Sequence, residues 1–165
     1  TGENGSGKTT LLRALFGEVK LDSGSHHVGR SAQVSTLRQQ RKLFADAPSL
    51  LRGFTDAVGC DDQVVRSQLA KLGLDTQRID RPVADLSPGE QTRAALGLFA
   101  ARGSNVLVLD EPTNHLDLPA IEQLEAALQA FPHTVLLVTH DRRLLQAVTT
   151  NRHWHVEHGQ LVERR

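Results

Sequence analysis

The stretch Val106–Asp117, which reads VLVLDEPTNHLD, decides the fold of this chain. Its first part, Val106–Leu109, is a short apolar run rich in β-branched residues, which is typical of a parallel strand buried on both faces. Asp110 and Glu111 follow this run directly. Because open α/β sheets bind ligands at the carboxyl ends of their strands, the two acids predict a ligand site at this edge. Taken alone, the same pair could simply mark the start of a turn.

The other end of the sequence supplies a reason for the two acids. Gly2–Thr9, GENGSGKT, fits the phosphate-loop pattern G-x-x-x-x-G-K-[ST] in full. Its glycines let backbone N–H groups converge on phosphate oxygens. We expect Lys8 to reach the β- and γ-phosphates and the Thr9 hydroxyl to bind Mg²⁺, a cation that offsets the cost of burying two carboxylates. Because the sequence opens inside this motif, we interpret it as a fragment whose N-terminal strands are missing.

The composition excludes several classes of protein. A chain of 165 residues is long enough for one domain with a sizeable core. Lys+Arg and Asp+Glu number 19 each, so charge alone does not indicate nucleic-acid binding. The single cysteine, Cys60, rules out an internal disulfide and fits a reducing compartment. No apolar run approaches the roughly 18 residues of a membrane span, so we expect a cytoplasmic protein without direct membrane insertion.

The middle of the chain predicts two short strands and then a set of helices. Ser25–Arg30 and Ala32–Leu37 are the predicted strands, and they lead to Gln39, which could reach Mg²⁺ or an attacking water, or could be a solvated loop residue. Residues 42–85 are predicted to be helical. Ser49–Val58 is one predicted helix; a second is capped by Asp61, places Val64, Val65, Leu69 and Leu72 on its apolar face, and ends before Gly73.

A strong helix start follows at Leu86–Gln91, LSPGEQ. Ser87 suits the N-cap position, Pro88 suits N1, and Glu90 at N3 completes a capping box for a helix that runs to about Arg102. The same geometry gathers free N–H groups and a hydroxyl, so it could also bind an anion. The motif alone does not decide between a helix cap and an anion site.

The last third of the chain adds a helix, a strand and a hairpin. The helix is predicted from about Pro119 to Phe131, and the apolar strand Thr134–Val138 follows it. The strand ends at Thr139-His140-Asp141, so His140 falls at the same sheet edge as the two acids; it could be structural or catalytic. His153–Glu157 and Gln160–Val162 are predicted to form a hairpin.

Together the phosphate loop, the acid pair and His140 imply nucleotide hydrolysis on an α/β fold with a mostly parallel sheet flanked by helices. The sequence resembles the nucleotide-binding domain of ABC ATPases, a P-loop NTPase fold with a small helical subdomain. The matches, in the family's order, are GENGSGKTT as Walker A, Gln39 as the Q-loop, LSPGEQ as the signature, VLVLDEP as Walker B, NHLD as the D-loop and His140 as the switch histidine.

Within that family, DEPTNHLD followed by VTHDRRLL resembles the ABC-F class. Members of this class carry two ATPase domains in one polypeptide, have no membrane domain and act on the ribosome. The short segment between Gln39 and the signature also suits this class. The closing RHWHVEHGQLVER resembles the C-terminal ATPase domain of high-GC bacterial members, some of which protect ribosomes from antibiotics.

The resemblance implies a role for each matching residue. Thr9, Asp110 and Gln39 hold Mg²⁺. Glu111 polarises the attacking water, Gln39 contacts Mg²⁺ or that water, and His140 contacts the γ-phosphate, which makes these three the implied catalytic residues. The residues implied to bind ATP are Gly2, Asn4, Gly5, Ser6, Gly7, Lys8, Thr9, Thr10, Ser87, Gly89 and Asp117.

The resemblance also implies the domain organisation and a partner. Residues 1–165 form one ABC domain, with the helical subdomain inserted at 42–88. In the family, Ser87 and Gly89 close over the ATP of a facing domain, so a second ABC domain is implied, in the same polypeptide or as a homodimer mate. Pro88 departs from the family's usual Gly and removes one backbone donor, which weakens the grip on the γ-phosphate but does not disturb the helix start.

Three other functions compete with an ABC-F ATPase that binds the ribosome. The ATPase subunit of a membrane transporter has the same motif chemistry, but NHLD and the compact helical segment favour the ABC-F class. A DNA-repair or chromosome-maintenance ATPase would carry long heptad arms between the motifs, and the sequence has none. A non-hydrolytic nucleotide-binding module is disfavoured because Glu111 is present.

Overall fold

A parallel three-stranded sheet carries the predicted site at one of its edges. The structure is a computed structural model that describes residues 1–3, 5–37, 44, 47–114 and 116–164. The strands are β1 (Val34–Thr36), β2 (Val106–Asp110) and β3 (Thr134–Val138), in the order β1-β2-β3 with both pairings parallel. In β2, Leu107, Val108 and Leu109 are all buried. The predictions of a buried strand before the acids and of an α/β fold with a parallel sheet are confirmed.

Helices and one hairpin surround this sheet. In the described part of the chain, the helices are α1 (Lys8–Leu15), α2 (Leu50–Val58), α3 (Asp62–Lys71), α4 (Thr76–Ile79), α5 (Pro88–Ala101), α6 (Leu118–Ala130) and α7 (Arg142–Ala147), and Val83–Asp85 forms a 3-10 turn. Strands β4 (His153–Glu157) and β5 (Gln160–Arg164) pair antiparallel as the predicted hairpin.

The apolar side chains gather in two clusters that meet at α5. One cluster packs α2, α3 and α5 together around Phe54, Leu69 and Leu98. The other lies against the sheet and packs Leu109 and Leu124 with Phe99 of α5. Because α5 contributes to both clusters, it ties the helical segment to the sheet. The boundaries 42–88 of the helical subdomain stay a prediction.

Two local predictions were wrong, and the predicted N-cap of α3 was confirmed in position only. Residues 25–30 form no strand: their side chains are exposed and no described strand pairs with them, so β1 is limited to Val34–Thr36. Asp61 stands at the N-cap of α3 without a side-chain capping bond. Val64 is exposed, because α3 packs inward through Val65 and Leu69 instead.

The start of α5 is closed by the predicted capping box. Ser87 N–H donates to Glu90 Oε2 at 2.9 Å, and Glu90 N–H donates to Ser87 Oγ at 3.2 Å. A third group joins them, because Arg78 Nε of α4 forms an ion pair with Glu90 Oε1. The Glu90 side chain is only 15% exposed, so its carboxylate is held on both oxygens.

Burial alone would raise the pKa of the Glu90 carboxyl. The hydrogen bond from the Ser87 backbone and the contact with Arg78 outweigh burial, so the pKa is lowered from its ordinary value of 4.5. A carboxyl whose pKa is lower in the folded state stabilises the fold above its unfolded pKa, and that contribution is lost as the pH falls through the folded pKa.

We therefore expect Glu90→Gln to lower the free energy of unfolding near neutral pH. Below the ordinary pKa of 4.5, the difference from wild type should shrink, because Glu90 becomes protonated in the folded state as well. Denaturant unfolding of both proteins across this range measures the difference. A difference that stays constant down to the lowest pH would contradict the electrostatic origin of the contribution.

The core strand supplies a second prediction. Leu109→Ala removes a side chain that is fully buried in the central strand, so the free energy of unfolding should fall by about 2–5 kcal/mol. Leu118→Ala is the matched control, since Leu118 is 53% exposed and should change stability by no more than about 0.5 kcal/mol. Equal losses of unfolding free energy in the two variants would show that Leu109 contributes no more to stability than an exposed leucine does.

Candidate functional site

The phosphate loop folds around the ammonium group of Lys8. Lys8 Nζ donates to the carbonyl oxygens of Gly2, at 2.9 Å, and Glu3, at 2.7 Å. Helix α1 begins at Lys8, and Gly7 serves as its N-cap with φ 98°, a left-handed conformation that favours glycine. The partial positive charge of the helix N-terminus and the lysine therefore lie in the same loop, which suits an anionic group.

Strand β4 of the hairpin contacts the start of this loop. Val156 N–H donates to the carbonyl of Thr1 at 2.9 Å, and Gly2 forms an isolated parallel bridge with Val156. A Cβ at Gly2 would lie 2.3 Å from the Val156 carbonyl oxygen, so only glycine fits this close approach. The sequence predicts the hairpin but gives no sign that it touches the loop, because the two segments lie at opposite ends of the chain.

Thr9 and Asp110 meet although 101 positions separate them. The Thr9 hydroxyl donates to Asp110 Oδ2 at 2.7 Å. This bond joins the first turn of α1 to the carboxyl end of β2. A hydroxyl and a carboxylate side by side offer the hard oxygen ligands that Mg²⁺ prefers, so the pair fits the metal expected from the sequence.

Glu111 adopts an unusual backbone conformation at the end of the central strand. Its φ is 49°, in a region that costs a non-glycine residue about 1–3 kcal/mol. Its N–H donates to the carbonyl of Val138 at 2.8 Å, and its Oε2 lies 2.8 Å from His140 Nδ1. The strained backbone aims the carboxylate at the edge of the sheet, next to an imidazole that is 70% exposed. A carboxylate in this position can orient a water and accept its proton.

The predicted signature residues form a second cluster with the start of α6. Ser87 is exposed, but Gly89 is buried: a Cβ there would lie 2.6 Å from Ala120 Cβ and 3.8 Å from Asp117 Oδ1. Asp117 is the N-cap of α6, and its Oδ1 accepts a hydrogen bond from Ala120 N–H at 3.1 Å. Gly89 therefore allows α5 and α6 to approach closely, a packing role that no sequence pattern indicates.

The remaining predicted residues are placed less tightly, or not at all. Gly5 has φ 80° in the loop, and the Ser6 hydroxyl is buried without a hydrogen bond to the part of the chain that the structure describes. Thr10 is exposed in the first turn of α1. Asn4 and Gln39 lie outside the described residues, so the ATP contact expected from Asn4 and the metal and water contacts expected from Gln39 stay predictions.

Among the described residues, none of the helices combines the length and the apolar character that crossing a membrane requires.

Comparison with known sequences places the chain among nucleotide-binding proteins. The family model described as "ABC transporter" matches residues 1–114. The chain is 40% identical to the ATP-binding protein Uup of Caulobacter vibrioides over 97% of its own length. It is 37% identical to ATP-binding cassette sub-family F member 3 of Mus musculus over 98% of its length. It spans 25% of the first protein and 23% of the second, so it covers about a quarter of the curated relatives it matches.

Solved structures share the fold. The dimeric post-hydrolysis state of the ATP-binding cassette MJ0796 bound to ADP and Pi superimposes with a TM-score of 0.77 at 20% identity, covering 99% of this chain and 82% of that one. A dimeric structure of MJ0796, a bacterial ABC transporter cassette, gives 0.78 at 20% identity with the same coverage. The predicted resemblance to ABC ATPase domains, with relatives in the F class, is confirmed: this chain belongs to the ABC transporter family.

Proposed function

We propose that this chain binds ATP in its phosphate loop and hydrolyses the terminal phosphate as one ABC domain of a two-domain ATPase. The observation that supports the proposal best is the convergence at one sheet edge. The Thr9–Asp110 hydrogen bond lies at the end of β2, and the Glu111–His140 contact follows at the ends of β2 and β3. A metal-binding pair and a carboxylate able to activate water therefore lie beside a loop built for phosphate.

The chemistry follows from these positions. Lys8 and the N–H groups at the start of α1 bind the phosphate oxygens. Thr9 and Asp110, together with Gln39, would hold Mg²⁺, which neutralises charge on the β- and γ-phosphates when bound. Glu111 orients a water and accepts its proton as the water oxygen attacks the γ-phosphorus and the bond to the bridging oxygen of ADP breaks. His140 holds the Glu111 carboxylate and faces the departing phosphate.

A complete site needs a second ABC domain. Ser87, Gly89 and Asp117 lie at the starts of α5 and α6, and we propose that these starts face the ATP of the second domain. The dimeric cassettes that share the fold support this arrangement. The second domain belongs to the same polypeptide or to another copy of the protein.

We further propose that the full-length protein is a cytoplasmic ABC-F protein that uses ATP-driven closure to bind and release the ribosome, as a translation factor or in antibiotic resistance. The DEPTNHLD and VTHDRRLL segments and the F-class relative support this assignment. The alternative is the ATPase subunit of a membrane transporter, which would use the same residues for hydrolysis.

Removal of the proposed general base tests the hydrolytic mechanism. In the full-length protein, Glu111→Gln should lower turnover at this site by at least about 100-fold, because an amide cannot accept the proton of the attacking water. ATP binding should persist. Lys8→Ala should instead weaken nucleotide binding itself, because it removes the charge inside the loop. Hydrolysis by Glu111→Gln at the wild-type rate would overturn the role of Glu111, and unchanged affinity of Lys8→Ala would overturn that of Lys8.

Ribosome pelleting tests the cellular role. The full-length protein carrying Glu111→Gln should co-sediment with ribosomes in the presence of Mg-ATP and remain in the supernatant without nucleotide, because bound ATP holds the closed state. A protein that binds ATP but never pellets would overturn the ribosome assignment. Recovery in membrane fractions would then support the transporter alternative.

A further inference from the structure

We propose that Arg78 is a positioning residue for the signature segment, Leu86–Gln91. It neutralises Glu90 so that the start of α5 can accept a phosphate of the nucleotide bound by the facing domain. This inference rests on the proposed function, because it needs the start of α5 to close over that nucleotide. It adds a residue from outside the sequence motifs, on the short helix α4.

The signature segment carries a charge that opposes this task. Glu90 places a carboxylate in the first turn of α5, where its Oε2 already takes the Ser87 N–H. Pro88 has no N–H to offer, and the Glu90 N–H is bonded to Ser87 Oγ. Because Gly89 is buried, an incoming phosphate is left with the exposed Ser87 hydroxyl, which lies beside a negative charge. Like charges in a partly buried site repel strongly, so an uncompensated Glu90 would resist the phosphate.

Arg78 removes this repulsion. Its Nε pairs with Glu90 Oε1, on the oxygen that the Ser87 N–H does not use. Its Nη1 pairs with Asp75, the N-cap of α4, which also accepts the Arg78 N–H at 3.0 Å. Two carboxylates therefore hold the planar guanidinium next to the signature segment. In the described part of the chain, Arg78 is the cation in contact with the Glu90 carboxylate.

A purely structural role for Arg78 makes a different prediction. The same region contains a second, exposed ion pair, Arg66–Asp80, with 3.1 Å between Arg66 Nη2 and Asp80 Oδ1. Among the described residues, this pair joins α3 to the residue after α4 and forms no ion pair with Glu90, so Arg66 gives a matched control. If Arg78 only stabilised the fold, the loss of either arginine would act on hydrolysis solely through stability, by a small amount.

The experiment measures the full-length protein and four variants: Arg78→Ala, Glu90→Gln, the Arg78→Ala/Glu90→Gln double variant and Arg66→Ala. We expect Arg78→Ala to lower kcat for ATP hydrolysis at least about twofold, because one of the two composite sites stops contributing to turnover. Affinity for ADP should remain within about twofold of wild type, because the phosphate loop of this chain is unchanged. The double variant should recover the kcat of Glu90→Gln, since the repelling charge has gone with its partner. Arg66→Ala should keep the wild-type kcat.

Several outcomes would overturn the inference. Wild-type kcat in Arg78→Ala, or an equal loss in Arg66→Ala, would show that Arg78 does not act on the site. A double variant as slow as Arg78→Ala would show that charge on Glu90 is not the cause. Thermal unfolding of all four variants measures how much folded protein each one retains. A loss of kcat in Arg78→Ala that is fully explained by a loss of folded protein would also overturn the inference. If the wild-type protein itself did not hydrolyse ATP, the proposed function would be overturned. The wild-type measurement therefore separates failure of the proposed function from failure of the inference about Arg78.

Discussion

The parallel pairing of β2 with β3 is the constraint on which the rest of the site depends. It sets Asp110 opposite Val138, so the residues that follow the two strands leave the sheet at the same edge. The pairing continues one step past the strand, where Glu111 N–H bonds to the Val138 carbonyl. Glu111 has a positive φ at this point, and its carboxylate lies next to His140. An antiparallel partner would have sent His140 to the opposite end of the sheet.

Charge compensation organises the polar residues both at this edge and at the start of α5. The Asp110 carboxylate accepts the Thr9 hydroxyl, the Lys8 ammonium rests on two carbonyl oxygens, and Glu90 is held by Arg78 and a backbone N–H. Each of these charged groups has a polar contact before any ligand is considered, which limits the free energy needed to keep them in place. Binding can then exchange one polar contact for another without exposing a bare charge.

The sequence-based predictions were accurate where a feature depends on residues close together in sequence, and they failed where it depends on contacts between distant residues. The buried strand at Val106, the capping box at Ser87 and the hairpin at His153 depend on neighbours within a few positions, and local patterns were enough to predict them. The strand expected at Ser25 failed because a strand also needs a partner, which the local sequence does not reveal. The close approaches of Gly2 to Val156 and of Gly89 to Ala120 depend on tertiary packing. The spacing of the two glycines within their motifs indicates neither of these packing contacts.

The contact between Gly89 and Ala120 also limits how far α5 and α6 can move relative to each other. Helix α6 starts at the end of the polar loop that leaves the central strand, and helix α5 starts at the segment that we propose faces a second domain. With no side chain between them, the two helix starts have little room to slide, and a shift in one displaces the other. In the proposed function, a displacement that phosphate release sets off at one of these helix starts would therefore reach the other. Such a connection would link the two proposed nucleotide sites thermodynamically, so that each nucleotide would influence how tightly the other is held.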